Sequence, residues 1–512
     1  MWGALLGTKS SPLVFSINHR MTDLSKDTIE IPPPEGIHAE PFSIRKLFSM
    51  MRYFGPAAVV ASLSLGAGET IMATGLGAWS EYGLLWLLVL SVVVKGVFVM
   101  YLMGRYTAIT GQGVGRRLVM LPGPRGWLLM SVVVIEVGLM SMGLTTVAKP
   151  CGNLIAFLMQ DRLPGEMSFS FWENLISTIV FGGAMAFALV SSFRILERQQ
   201  VVICGIVVLG TIVASVVVTP NLGHMIIGAI SIGHMPVAPD WAPPAARNDY
   251  ILNLVAVFGY VGGSLSGYLA YSAWVGESGW GINSHPKIDE IRRRAAASSR
   301  IDFLPDDAEQ AARLRTSLAP LRWDVGLGAV VLFIVTAAFL TAGAAILFPR
   351  QEVVGANSWE LLTKQASIWR QIHQSLVPVY YVMVLIALWG TLVAVPEAVA
   401  QVAKEYLSAI WTRFESLPTA RIKVWLIAWF FVTGVIWTWS GISFNLMVQV
   451  GAFLNLSVGL FVVFCFVLYF NVTLPPRYRP RTWLVIGSLL SAIVLLLCAI
   501  GGGVGMYRKL LG

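Results

Sequence analysis

The sequence predicts an all-α polytopic membrane protein, arranged as an inverted repeat of five plus five helices with an eleventh appended. Three observations predict it: the composition, eleven apolar runs of spanning length, and two glycine clusters about 200 residues apart. Of 512 residues, 56% are apolar and only 12% charged, about half the ~25% typical of soluble domains. Mean hydropathy is +0.72. A soluble enzyme of this size would need more polar surface, so that class is excluded, as are disordered and fibrous chains. A net charge of +9 would suggest nucleic acid on a soluble protein. Here its distribution matters more than its sum, and the expected partner is the lipid bilayer, with no nucleic acid.

The elements follow in chain order. Residues 1–52 are polar and carry Pro32-Pro33-Pro34. They lack a short apolar run followed by a small-residue cleavage site, so they read as a partly disordered cytosolic tail rather than a signal peptide. A helix needs ~20 mostly apolar residues to cross the hydrocarbon layer. The candidates are α1 (54–79), α2 (84–109), α3 (127–148), α4 (174–193), α5 (200–219), α6 (251–275), α7 (323–348), α8 (376–400), α9 (422–440), α10 (443–470) and α11 (483–506). Several end at Pro220, Pro349 or a glycine, as helix ends should. The runs are too long and too evenly apolar for barrel strands. This divides the chain into a first repeat (53–220), an outer loop (221–250), a second repeat (251–470) with a cytosolic loop at 276–322, and a last helix with the C-terminus (471–512).

Lys and Arg fix the expected orientation. With the N-terminus cytosolic, the inner segments hold 27 of the 36, the outer segments hold eight, and Lys95 lies inside α2. That excess supports an odd helix count, with the C-terminus outside. The setting expected is an integral membrane, a bacterial inner membrane being the favoured one. The 276–322 loop, with Arg292-Arg293-Arg294 and Asp306-Asp307, reads as an amphipathic helix near the inner surface. No GxxxxGK[ST] loop is present, so no ATPase is encoded in this chain.

The remaining motifs carry little chemistry. Cys151, Cys204, Cys465 and Cys498 show no CxxC or zinc spacing and read as small core residues. The six histidines fall in the tail or loops and read as surface residues. Asn471-Val472-Thr473 fits a glycosylation triplet on the cytosolic side, where it would not be used. Trp79, Trp86, Trp127, Trp323, Trp425 and Trp483 sit at span ends and read as interfacial anchors.

The two glycine clusters lie mid-span: Leu65-Gly66-Ala67-Gly68-Glu69-Thr70 in α1, and Gly259 to Tyr268 in α6. Glycine costs ~1 kcal/mol against alanine inside a helix, so both sites are weakened. Each cluster opens a five-helix set, and α1 and α6 cross in opposite directions. This is the expected signature of helices broken at a binding site. The alternative is close helix packing through small residues.

Glu69 is a carboxylate at mid-membrane, functional by default and eased by the dipole of the second half-helix. Carbonyls freed at 65–67 would face the same cavity, with Gly263, Ser264, Ser266, Gly267 and Tyr268 opposite. The result is an all-oxygen site with one formal negative charge, suited to hard cations such as Mg²⁺ or Ca²⁺, and also to Na⁺ or an ammonium group. Lys95 in α2 and Glu136 in α3 are also buried. Lys95 either pairs with Glu69 or Glu136, or titrates in place of a coupling ion.

These residues resemble a known family. Gly55-Pro56-Ala57 opens α1, the Gly-Ala-Gly-Glu break follows, then Tyr82-Gly83-Leu84-Leu85-Trp86 and Thr110-Gly111. The order and spacing are similar to the Nramp family of proton-coupled divalent metal transporters, without gaps from Gly55 to about Gly113 and more weakly beyond, as at Leu196-Glu197. The resemblance implies the LeuT-like fold and a symporter. It also implies a rewritten site. The family's Asp-Pro-Gly-Asn in α1 is here Gly66, Ala67, Gly68 and Glu69. Its Met-Pro-His in α6 is here Ser266, Gly267 and Tyr268. Glu136 matches the first acid of the family's proton route; the next two positions are Gly143 and Thr146. Asn455 corresponds to the polar residue of α10.

Loss of the thioether removes the preference for softer transition metals. The expectation is a secondary-active carrier related to Nramp, for a hard divalent cation with Mg²⁺ leading. Metal ligation would rest on Glu69 and Ser266, with substrate contacts from Gly66, Ala67, Gly68, Gly263, Ser264, Gly267, Tyr268 and Asn455. Two alternatives stay open: a carrier for a small organic solute such as an amino acid or amine, with Tyr260, Tyr268 and Tyr271 lining its pocket, or a non-transporting scaffold protein. No resident cofactor and no enzyme chemistry are expected.

Overall fold

The computed structural model describes residues 28–41, 43–64, 68–165, 167–191, 193–218, 221–297, 301–351 and 358–511. Among them nine helices are long and apolar enough to cross a membrane. α2 runs from Leu85 to Thr110. α3 is Trp127–Leu158, α4 Phe169–Val190, α5 Phe193–Val218, α8 Leu376–Ile410, α9 Thr419–Trp439 and α11 Thr482–Leu511. α7 starts at Ala319 and continues to Leu347, and α10 covers Phe444–Val472. The nine include α6, interrupted within Tyr250–Ser284, and not α5, whose apolar stretch Arg198–Gly210 is shorter; α1 has helix at Pro56–Ser64 and again from Gly68 to Ser80.

Two helix groups account for the packing. α1 and α2 each pack on α6 and α7, and α3, α4, α8 and α9 contact one another. Each group takes two helices from each half of the chain, at positions five apart. That is what a repeat duplicated in opposite orientation produces. α5 lies along α1 and α7, while α10 and α11 pack beside the first half of α6.

α3 runs ten residues past its expected end at 148. Lys149 and Pro150 read as a stop, yet the apolar run resumes at Cys151 and the helix continues with Pro150 inside it. α8 likewise extends from 400 to Ile410, because polar Gln401, Lys404 and Glu405 line a cavity rather than mark the membrane edge. The 276–322 loop forms two helices, Ile288–Ala297 and Ala308–Ser317, instead of one. A further amphipathic helix, Ser358–Ile372, precedes α8 and was not anticipated.

Residues 1–27 lie outside the described residues, but the segment that follows is docked rather than free. The Ile29 N–H donates to Phe303 O at 3.0 Å, the Ile31 N–H donates to Gln310 Oε1 at 2.8 Å, and the Ile31 side chain is buried. Two of the expected anchors are core residues: Trp79 and Trp86 are buried, and Trp86 Nε1 donates to His234 O. Trp127, Trp425 and Trp483 are exposed, as interfacial residues are. Asn471 is a core residue as well. It accepts from Arg105 and donates to Leu102 O and Val467 O.

Candidate functional site

The α6 helix stops at Tyr260 and restarts at Leu265. Between them Gly262 and Gly263 hold φ of +95° and +100°, a region that L side chains rarely adopt. Ser264 then caps the second half, its hydroxyl accepting from Gly267 N–H and lying 3.0 Å from Ser266 Oγ. These two glycines are there for backbone conformation. Gly77 and Gly343 serve the other purpose, packing. A Cβ on Gly77 would lie 2.1 Å from Leu340 O, and one on Gly343 2.2 Å from Thr74 O, so α1 and α7 cross backbone to backbone.

Breaking a helix strands carbonyls at the end of its first half. Here α2 satisfies them. Lys95 Nζ donates to Phe258 O at 2.5 Å and to Gly259 O at 2.7 Å, and sits 5.0 Å from the Phe258 ring centroid. One turn earlier, Ser91 Oγ lies 2.9 Å from Phe258 O and 2.7 Å from Val261 O. Lys95 therefore places its ammonium at the negative end of a half-helix dipole. It makes no hydrogen bond with Glu136, whose two carboxylate oxygens have no partner. The backbone of Glu69 lies in a wide π-helical turn at Gly68–Ala73, a geometry that recurs at functional sites. Its side chain, together with Leu65, Gly66 and Ala67, lies outside the described residues, and with it the expected Lys95–Glu69 pair.

Glu136 comes from the middle of α3 and is 2% exposed. Ser266, from the restarted α6, and Asn455, from a second π-helical stretch at Ala452–Gly459 in α10, are the polar groups facing its carboxylate. Neither reaches hydrogen-bond geometry, and Asn455 Oδ1 and Ser457 Oγ are likewise buried and unmatched. A Cβ on Gly263 would lie 3.2 Å from Tyr268 Oη, so that hydroxyl folds back onto the break. The structure thus gathers Glu136, Ser266 and Asn455, and places Gly263 and Ser264 in the break of α6 with Tyr268 just beyond it. Gly143 and Thr146 are joined on α3, Thr146 Oγ1 donating to Gly143 O. Tyr271, expected among the aromatics of a solute pocket, donates its hydroxyl to Asp324 Oδ2 at 2.9 Å.

Asp324 is one of three acids that sequence reasoning passed over. It lies fully buried in α7, accepts from Gly55 N–H at 3.0 Å and Ala57 N–H at 3.0 Å, and so caps the start of α1. Glu397 in α8 pairs with Lys423 of α9 at 2.9 Å, and that lysine also donates to Ser191 O. Glu405, further along α8, faces Arg116 and Arg292 across a cavity of about 230 Å³ between α2, α6 and α8. The signal was available, since Asp324 and Glu397 stand inside apolar runs of spanning length. On the opposite face, Gln365 of the helix before α8 donates to Thr70 O at 2.8 Å and accepts from Tyr380 Oη at 2.9 Å, tying that helix to α1.

No group of three His, Cys, Asp or Glu side chains sits together among the described residues. A metal at the α6 break would therefore be held by hydroxyl, amide and carbonyl oxygens around one or two carboxylates.

The architecture has solved counterparts. A mutant of the Eremococcus coleocola manganese transporter superposes with a TM-score of 0.60 at 14% identity, covering 93% of this chain and 88% of that one. A second mutant of the same transporter gives 0.56 at 15% identity over the same shares. Its complex with an aromatic bis-isothiourea substituted compound gives 0.52 at 16% identity, over 94% and 89%. Among curated proteins, no relative matches the sequence. The sequence model of the natural resistance-associated macrophage protein-like family matches residues 57–504. With the fold shared and nearly the whole chain matched, this protein belongs to the Nramp family of membrane transporters, which are not enzymes, and adopts their LeuT-like fold.

Proposed function

We propose that the protein is a secondary-active carrier of a hard divalent cation, with Mg²⁺ the leading cargo. The observation that carries this reading is Glu136: a buried carboxylate at the α6 break with no hydrogen bond, faced by Ser266 and Asn455. A buried acid without donors is stable only when protonated or opposite a cation. Manganese transport by the structural counterpart supports a metal cargo, and the absence of sulfur at Ser266 and Tyr268 supports a harder one. Mg²⁺ dehydrates reluctantly, so a site of hydroxyls, amide and carbonyls suits an ion that keeps part of its water.

In this reading the ion meets Glu69 and the carbonyls of Gly66, Ala67 and Gly68 on one side, and Gly263, Ser264, Ser266, Gly267, Tyr268 and Asn455 on the other. Glu136 loses its proton as the cation arrives. Lys95 supplies a fixed positive charge that holds the half-helix of α6, in place of a second ion. The N-terminus is cytosolic, and the Lys/Arg-rich face with the Glu405 cavity is the inner mouth.

Flux into proteoliposomes tests this. Mg²⁺ uptake exceeding Mn²⁺ uptake, abolished by Glu69→Gln, is the expected result. No flux of either ion, with Glu69→Gln indistinguishable from the parent, overturns the reading. Stabilisation by an amino acid or amine, with metals silent, would assign the cavity to an organic solute instead.

A further inference from the structure

A second built cavity lies away from the α6 break, on the face that carries the Lys/Arg excess. It encloses about 290 Å³ between the end of α2, the start of α7 and the turn before α11. Arg105, Arg315, Arg322, Arg477, Arg479 and Arg481 line it, and no carboxylate does. The groups that hold these arginines are mostly neutral. Arg105 is 6% exposed and donates to Asn471 Oδ1 and Tyr478 O. Arg315 donates to Arg477 O, Arg322 to Arg315 O and Arg479 to Leu474 O. Asp306 takes one N–H of Arg477 at 2.5 Å from outside the lining. A guanidinium carries five N–H donors. These contacts therefore fix the side chains in place while most of their charge and donor capacity remains uncommitted.

The surroundings say which anion fits. Trp483, on the same wall, is 62% exposed at the start of α11, as an interfacial anchor is. Arg479 also lines an adjoining cavity of about 570 Å³, whose wall includes Met120, Leu121, Ile301, Tyr469, Phe470 and Leu474. A charged pocket with an exposed tryptophan of interfacial type at its edge thus adjoins a cavity that carries Arg117 and Arg479 beside a run of apolar side chains.

We propose that this paired cavity binds an anionic phospholipid, with the phosphodiester among the arginines and an acyl chain along the apolar wall. Guanidinium forks match phosphate oxygens in geometry as well as charge, and basic pockets between membrane helices are where such headgroups are held. The proposal is independent of the cargo.

The test uses the full-length protein, delipidated in detergent, with thermal unfolding and native mass spectrometry as readouts. Phosphatidylglycerol should stabilise it and appear as a bound adduct, while phosphatidylcholine should do neither. The double variant Arg322→Gln/Arg481→Gln, at exposed positions, should weaken phosphatidylglycerol binding by roughly thirtyfold, and Arg322→Lys/Arg481→Lys should restore much of it. Equal binding of phosphatidylcholine, or full retention in the glutamine variant, overturns the proposal. Inorganic phosphate that stabilises as well as phosphatidylglycerol at equal concentration would overturn the lipid assignment and leave a free-anion site.

Discussion

Asp324 and Glu136 are both carboxylates buried inside apolar helices, and they are opposites. Asp324 accepts from two backbone N–H groups and a tyrosine hydroxyl, and it ties α7 to the start of α1 and to α6. Glu136 accepts from nothing. The first is a mortise between three helices. The second is held ready for something that is not part of the chain. Burial alone does not separate structure from function in a membrane; the count of satisfied oxygens does.

The largest expected effect lies on the satisfied side. Asp324→Ala would strand three buried donors, costing about 3 kcal/mol or more. It should lower the unfolding temperature sharply in detergent, and a change of less than about 1 kcal/mol would remove the distinction. Next comes the Glu397–Lys423 pair, another spent acid. Lys423→Met alone should cost about 3 kcal/mol by leaving Glu397 buried and unpaired, while Lys423→Met/Glu397→Met should recover most of that. A double-variant loss equal to the sum of the Lys423→Met and Glu397→Met losses would show that the pair contributes no coupling.

Lys95→Met should cost about 2 kcal/mol by freeing Phe258 O and Gly259 O. Hydrogen exchange should then speed up at 258–264, and unchanged exchange there would mean that Ser91 suffices. The smallest stability effect belongs to Glu136→Gln, expected within about 1 kcal/mol of the parent, since no bond is lost and a neutral amide of the same shape replaces a protonated acid. A large destabilisation would move Glu136 into the class of Asp324.

The sequence conveyed most of the architecture, because a spanning helix announces itself by length and hydropathy. It conveyed the α6 break through Gly262 and Gly263, whose backbone no other residue adopts as readily. It did not convey which buried polar groups meet. Lys95 stood open between Glu69, Glu136 and a titrating role, and nothing in the sequence pointed to the contacts it makes with Phe258 O and Gly259 O at the carbonyl end of a half-helix. Tyr271 read as a pocket aromatic and is spent on Asp324. Trp79 and Trp86 read as anchors and are core. In each case the residue type and the depth were legible while the partner, set by a helix far away in the chain, was not.

The most direct test of the contrast is the shift in unfolding temperature on adding Mg²⁺, measured side by side for the parent, Glu136→Gln and Asp324→Asn. A ligand that binds only the folded protein raises its stability by mass action. The account predicts a rise for the parent and for Asp324→Asn from its lower starting point, and none for Glu136→Gln. A rise in Glu136→Gln equal to that of the parent, or no response from the parent, would contradict it.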